Sequence, residues 1–260
     1  MRRIRNRVVV WMNYKGLLRI IVSALVVIAA IMLIVQDIPA SRTWTTWSLP
    51  LSGKTIVIDA GHGGIDGGAV SKEGAIEKDL NLAIAIYLRD YLQQAGAIVV
   101  MTREADYDLA AEDTKKIARR KTEDLMKRVS IIKETKPQIV LSIHMNSIPS
   151  TKWSGAQTFY YPSQVNNGQL AALIQEEIKR NLANTTRIAA PIKNEVYLMK
   201  QIQDIPLALV EVGFLSNPGE ASRLTDGDYQ RSVAAAIYQG ILRFSAGEKA
   251  ATTSIAEPVH

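Results

Sequence analysis

The 260-residue chain contains no cysteine. This excludes a cysteine nucleophile, a thiolate metal site and a disulfide framework, but leaves the compartment open, because exported domains can also lack cysteine. Histidine is scarce. There are three, and His260 is the last residue and reads as a bystander, so imidazole chemistry is confined to His62 and His144. No Gly-Lys-Ser/Thr ending follows the glycine-rich segment 61–68, which argues against a phosphate loop, and no Gly-x-Ser-x-Gly elbow is present, which disfavours a serine hydrolase. No internal repeat marks a solenoid or a tandem wall-binding array. Beyond residue 19 the chain also lacks net charge. Arg2, Arg3, Arg5, Arg7, Lys15 and Arg19 account for the whole +6, leaving 25 basic and 25 acidic side chains in the remainder. Without a net basic field that remainder lacks the long-range attraction to phosphate that drives nucleic-acid binding, so no nucleic-acid partner is expected.

What is present is enough apolar sequence for one large core. Hydrophobic residues make up 47% and charged residues 22% of the chain, as in a folded domain. The cationic leader, residues 1–16, runs into residues 17–35, whose one charge is Arg19. A helix needs roughly 20 apolar residues to cross the hydrocarbon layer, and flanking cations stay cytoplasmic, so this run reads as a signal-anchor with everything after it outside the cell membrane. The rival reading is a cleaved signal and a secreted protein, against which stand the length of the run and the poor cleavage pattern Ile38-Pro39-Ala40. Residues 36–52, with Trp44, Trp47 and two prolines, read as a linker, and residues 246–260 as a disordered tail.

Between them, residues 53–245 alternate short β-branched runs with longer amphipathic ones, the pattern of an α/β domain. Strands are expected at 55–60, 97–102, 138–143, 156–161, 196–199 and 207–212. Helices are expected at 77–94, from about 123 to 136, at 170–182 and at 229–244. The near-continuous apolar strands point to a mostly parallel or mixed six-stranded sheet flanked by helices.

The polar residues then fall into place. His62 lies two residues past the first strand and His144 directly after the third, so both stand at carboxyl ends of strands, where open α/β sheets bind ligands. Glu77 begins the first helix and can face the same edge. Each has an ordinary structural reading, hydrogen-bonded for a histidine and favoured by the helix dipole for a first-turn glutamate. Together, two imidazoles and one carboxylate, with a water, form a catalytic zinc set. Amide hydrolysis at such a set also needs a carboxylate that moves protons. Glu211 interrupts the apolar strand Leu207-Ala208-Leu209-Val210, which leaves it either structurally paired or catalytic. Asn146 reads as a turn residue or a site residue, Arg103 as a salt-bridge partner or a support for a ligand carboxylate, and Asp66 as a turn former or a further ligand.

Five segments carry a family resemblance: Asp59-Ala60-Gly61-His62-Gly63-Gly64, Glu77-Lys78-Asp79-Leu80-Asn81-Leu82, Thr102-Arg103, Ser142-Ile143-His144-Met145-Asn146, and Glu211-Val212-Gly213-Phe214-Leu215-Ser216-Asn217. In that order and at that spacing the sequence, over about residues 54–244, resembles the zinc-dependent N-acetylmuramoyl-L-alanine amidases of the type 3 family. The resemblance implies that His62, Glu77 and His144 bind one zinc ion and that Glu211 is the catalytic carboxylate. It further implies that the substrate is peptidoglycan, cut at the amide between the lactyl group of muramic acid and L-alanine. Ala60 departs from the proline of many relatives, which touches loop stiffness and not the ligand set. The short anchor and the segments 47–54, 119–128, 152–157 and 184–187 resemble the germination-specific branch of that family. This implies a role in spore cortex, where a deacetylase completes muramic-δ-lactam, and allows for an activating lipoprotein or the deacetylase as a partner. A zinc peptidase with the same ligands and an inactive, membrane-tethered wall-binding scaffold are the alternatives.

Overall fold

The computed structural model describes residues 13–36, 49–162, 165–192, 196–251 and 254. Two units are distinguished, one ending at Trp47 and one beginning at Ser48. In the first, α1 (Tyr14–Gln36) carries the apolar run, and its described side chains are almost all exposed, so the helix has length and composition enough to cross a membrane and no protein core of its own. Trp44, Trp47 and His260 lie outside the described residues.

The second unit is an α/β domain. Its sheet has the order β2-β1-β3-β6-β4-β5, from β1 (Thr55–Ala60), β2 (Ile98–Met101), β3 (Ile139–Asn146), β4 (Gln157–Tyr160), β5 (Ala190–Pro191) and β6 (Leu207–Phe214). The first four in that order run parallel, β4 is antiparallel to β6, and β5 is parallel to β4, so the sheet is mixed as expected. Alternation along β1 sends Ile56 and Ile58 to one core and Val57 to the other. The larger core is roofed by α2 (Glu77–Gln94), α4 (Val165–Leu182) and α7 (Gly227–Ser245), the smaller by α3 (Ile117–Thr135) and α5 (Tyr197–Gln201). A further helix, α6 (Pro218–Leu224), follows β6 and is capped by Asn217, whose side chain accepts from the Gly219 and Glu220 amides. On α2, Leu80, Ile84, Leu88 and Leu92 recur every fourth residue and are buried, the stripe that makes this segment a helix.

Three expectations are corrected. Residues 196–199 form the N-cap and first turn of α5, not a strand. Leu198, Met199 and Ile202 are all buried there, at a helical rather than an alternating spacing. The last strand of the sheet is the two-residue β5 instead. Second, α3 begins at Ile117, several residues before the expected start; its first turns are charged and Ile117 itself is exposed, so no apolar stripe marks them. Third, the stretch after 246, expected to be disordered, is held where it is described. Gln169 and Glu176 accept from the Ala250 and Ala251 amides, and the Ser254 carbonyl accepts from Ala189.

Candidate metal centre

The carboxyl edge of the parallel strands assembles the site. The loop leaving β1 is held by two fully buried arginines. Arg103 donates to the carbonyls of Ala60, Gly61, Lys78 and Ala105 at 2.7–3.1 Å. Arg128, from α3, donates to the Ala60 carbonyl at 2.7 Å, the His62 carbonyl at 2.6 Å, Asp59 at 2.8 Å and Asp124 at 2.8 Å. These contacts matter because His62 sits in the left-handed region, φ 61°, a conformation that non-glycine residues adopt only when the surroundings impose it. Gly61 is required for a different reason. A Cβ there would overlap the imidazole of His144.

His144 belongs to β3, which runs on to Asn146, so the histidine lies within the strand and not after it. A register irregularity between His144 and Asn146 marks the site. Glu77, the first residue of α2, reaches between the two histidines. Its Oε1 is 3.2 Å from His62 Nε2 and 3.1 Å from His144 Nδ1 and accepts from the Met145 amide at 3.0 Å, while Oε2 accepts from the Ala69 amide at 2.8 Å. Burial disfavours the ionised form of Glu77, but its two histidines outweigh that and hold its carboxyl far below the usual range. On His62 the burial penalty is likewise overcome, by Glu77 and Asp66, so its protonation is raised.

His62, Glu77 and His144 thus bring one ligand atom each within 4.8 Å of one another, a group that can hold a metal ion. The fit is chemical as well as spatial. Nitrogen and oxygen ligands at ~2.0 Å from a tetrahedral ion stand roughly 3.3 Å apart, close to the two N···O separations here. On the far side of His62, Nδ1 meets Asp66 at 2.9 Å, and Asp66 is paired in turn with Lys121 at 2.7 Å. Asp66 is therefore neither a plain turn former nor a member of the ligand group. It orients the imidazole, as carboxylates behind metal-binding histidines do. Arg103, expected to pair with a carboxylate, spends its donors on carbonyls instead. Asn146 closes β3, its backbone carbonyl accepting from Leu215.

Glu211 sits on β6, in register with His144. Its Oε2 is buried with no hydrogen-bond partner, so the structural pairing left open by the sequence is absent at that oxygen. Burial raises its carboxyl above the ordinary value, and the repulsion of Glu77 adds to this against the pull of the histidines. An unpartnered buried carboxylate is costly unless something else uses it.

Sequence reasoning did not find the roles of Asp59 and Arg128. Burial opposes the ionisation of Asp59, but Arg128, His144 and a hydrogen bond from Ser142 outweigh it and lower its pKa to about 2. The signal lay in Arg128 itself, spaced four residues from Asp124 on the helix face that also carries the buried Ile132.

Residues 56–243 match the family model described as N-acetylmuramoyl-L-alanine amidase. The chain is 54% identical over 202 residues to the germination-specific N-acetylmuramoyl-L-alanine amidase of Bacillus subtilis, covering 78% of this chain and 84% of that protein. Among solved structures it is similar to the CwlD amidase from Clostridioides difficile in complex with the GerS lipoprotein, with 40% identity and a TM-score of 0.72 over 75% of this chain and 100% of that one. It is also similar to the catalytic domain of CwlV, an amidase from Bacillus (Paenibacillus) polymyxa, with 31% identity and a TM-score of 0.63 over 74% and 97% of the two chains.

Proposed function

The chain belongs to the N-acetylmuramoyl-L-alanine amidase family and hydrolyses the amide joining the lactyl group of muramic acid to L-alanine in peptidoglycan; from that premise we propose that His62, Glu77 and His144 hold one zinc ion and that Glu211 moves the protons. When bound, zinc lowers the pKa of a water and polarises a carbonyl, which brings amide hydrolysis within reach at neutral pH. The residues of the chain supply the rest. Asp66 fixes the ring of His62, and the Ala69 and Met145 amides fix the carboxylate of Glu77. Glu211 takes a proton from the attacking water and delivers it to the departing nitrogen. The C–N bond breaks, and the products are a lactyl carboxylate and a free amino terminus on L-alanine. The raised affinity of Glu211 for a proton suits that exchange.

The observation that carries the reading is the convergence of two imidazoles and one carboxylate at one sheet edge, with the unpartnered Glu211 Oε2 beside them. Its test is a zinc titration of metal-stripped protein. Hydrolysis of muropeptides should rise in proportion to zinc bound and saturate at one ion per chain. Full hydrolysis by protein free of metal would refute it.

The likeness to a germination-specific amidase supports spore cortex as the substrate, with a deacetylase completing muramic-δ-lactam on the stripped strand. The complex described for the Clostridioides difficile relative supports a lipoprotein partner. The apolar α1 and its cationic flank support a membrane anchor that leaves residues 53–245 as an external catalytic domain.

A further inference from the structure

The row of residues that starts at His62 does not stop at Glu211. Gln157, the first residue of β4, is in register with Glu211 on β6, and beyond it, on the segment leading into β5, stands Arg187. Because β4 runs antiparallel to β6, its start lies at the same sheet edge as the ends of β1, β3 and β6. Arg187 Nη1 donates to Gln157 Oε1 at 3.1 Å, and Gln157 is held in that orientation by its own donation to the Ile188 carbonyl at 3.0 Å. The guanidinium carbon lies 5.4 Å from the ring centre of Trp153 and 5.3 Å from that of Phe214. Trp153 is 51% exposed, and with Ser154 and residues 183–187 it lines an open groove of about 560 Å³.

We propose that Arg187 is the anion-binding residue of a substrate subsite, which takes a carboxylate on the peptide side of the scissile amide. The inference rests on the amidase reading. The half-buried cation has no carboxylate within ion-pair distance among the described residues. Its second contact is to the Ser154 carbonyl at 3.3 Å, so three of its five N–H groups have no acceptor among the described residues. The chain's structural arginines behave differently. Arg103 satisfies four carbonyls, and Arg128 pairs with two aspartates. Two aromatic faces and a fixed amide hold the Arg187 fork in one plane before any ligand arrives, which reduces the entropy lost on forming a two-point contact with a carboxylate. The ligand class follows from the substrate. The carboxyl of muramic acid is consumed in the scissile amide, so the free carboxylates lie on the peptide. Two strand spacings from Glu211, ~10 Å, is reached by roughly three residues of extended peptide.

The test uses the full-length, zinc-loaded protein with the stem peptide and its muramoyl conjugate, each with carboxylates free or amidated. Calorimetric binding of the peptide needs no turnover. The wild type should bind the free form more tightly than the amidated one, and Arg187→Gln should weaken the free form roughly 10- to 100-fold, to the level of the amidated one, as expected for loss of a charge-assisted contact. In hydrolysis that loss should appear in KM rather than kcat, with zinc content unchanged, and Arg187→Lys should recover part of it. Equal weakening of both forms, or a wild type indifferent to amidation, would overturn the subsite, and the wild-type comparison decides even if Arg187→Gln fails to fold. Discrimination in binding without any release of peptide from the conjugate would instead overturn the amidase reading.

Discussion

Glu77 and Glu211 are the same residue type with opposite surroundings. Glu77 is wrapped by two imidazoles and two backbone amides, which favour the anion, whereas Glu211 Oε2 has no partner and burial favours the acid. They should therefore fail differently. Glu211→Gln keeps all three proposed ligands, so zinc should stay near one per chain while hydrolysis falls by roughly two to four orders of magnitude, the range for loss of a positioned acid/base. Glu77→Ala should lose zinc and activity together, with excess zinc restoring some of each; metal analysis and peptide release on the two purified variants read both. Asp59 makes a prediction about stability. Its pKa is lowered from 3.8 to about 2 on folding, so its ionised form contributes roughly 2 kcal/mol above the unfolded value, and that contribution disappears as pH falls from about 4 through about 2. Asp59→Asn should be less stable than wild type in urea at neutral pH by at least this amount, since Arg128 also loses a partner, and the gap should narrow across that acid window. A gap independent of pH would mean that Asp59 acts through packing alone. His62, His144 and Glu211, which the structure brings to one sheet edge, stood out in the sequence because a histidine near a strand end, or a glutamate inside an apolar strand, is out of keeping with its neighbours, whereas Glu77 stood out only through its company. Arg128 and Arg187 did not, because an arginine on a charged helix, or in a loop of small and polar residues, reads as solvated until the fold shows what it touches.

At the scale of elements, the site depends on strand ends meeting one helix start, and most of that was legible from periodicity. The long strands β1, β3 and β6 announce themselves by continuous apolar runs, and α2 by its fourfold stripe. Short elements gave no such signal. Over residues 196–199 an apolar tetrapeptide suits a buried strand and a buried helical turn equally, and only the smaller core, which takes up Leu198, Met199 and Ile202 together, decides for the helix. The two-residue β5 is too short to have any period. The packing of α4 against α7 supplies the prediction at this scale. A Cβ on Gly240 of α7 would lie 2.5 Å from Ile174 Cα on α4, a backbone atom that cannot move aside without shifting the helix. Gly240→Ala should gain up to ~1 kcal/mol of helix propensity but meet an overpacking cost of about 1–3 kcal/mol. A lower thermal midpoint with zinc content unchanged is the expected outcome, and a midpoint at or above wild type would show that the helices separate easily.

The whole molecule joins a cationic leader and an apolar helix to a remainder that, beyond residue 19, has no net charge. The leader's five cations and the exposed apolar side chains of α1 should keep the full-length protein in the membrane fraction through alkaline carbonate extraction, with the domain open to external protease; a soluble mature form starting near Ser41 would show instead that the segment is a cleaved signal. At this scale everything turns on which bond the domain breaks and with what. Digestion of cortex muropeptides in heavy-oxygen water, followed by mass spectrometry of the fragments, reads both in one measurement. If zinc at His62, Glu77 and His144 serves the lactyl amide, one labelled oxygen will appear on the lactyl carboxylate of muramic acid, free L-alanine amino termini will appear in equal number, and both will vanish on zinc removal and return on its restoration. Label incorporated at a carboxylate within the stem peptide, or release that persists after the zinc is removed, would contradict the account.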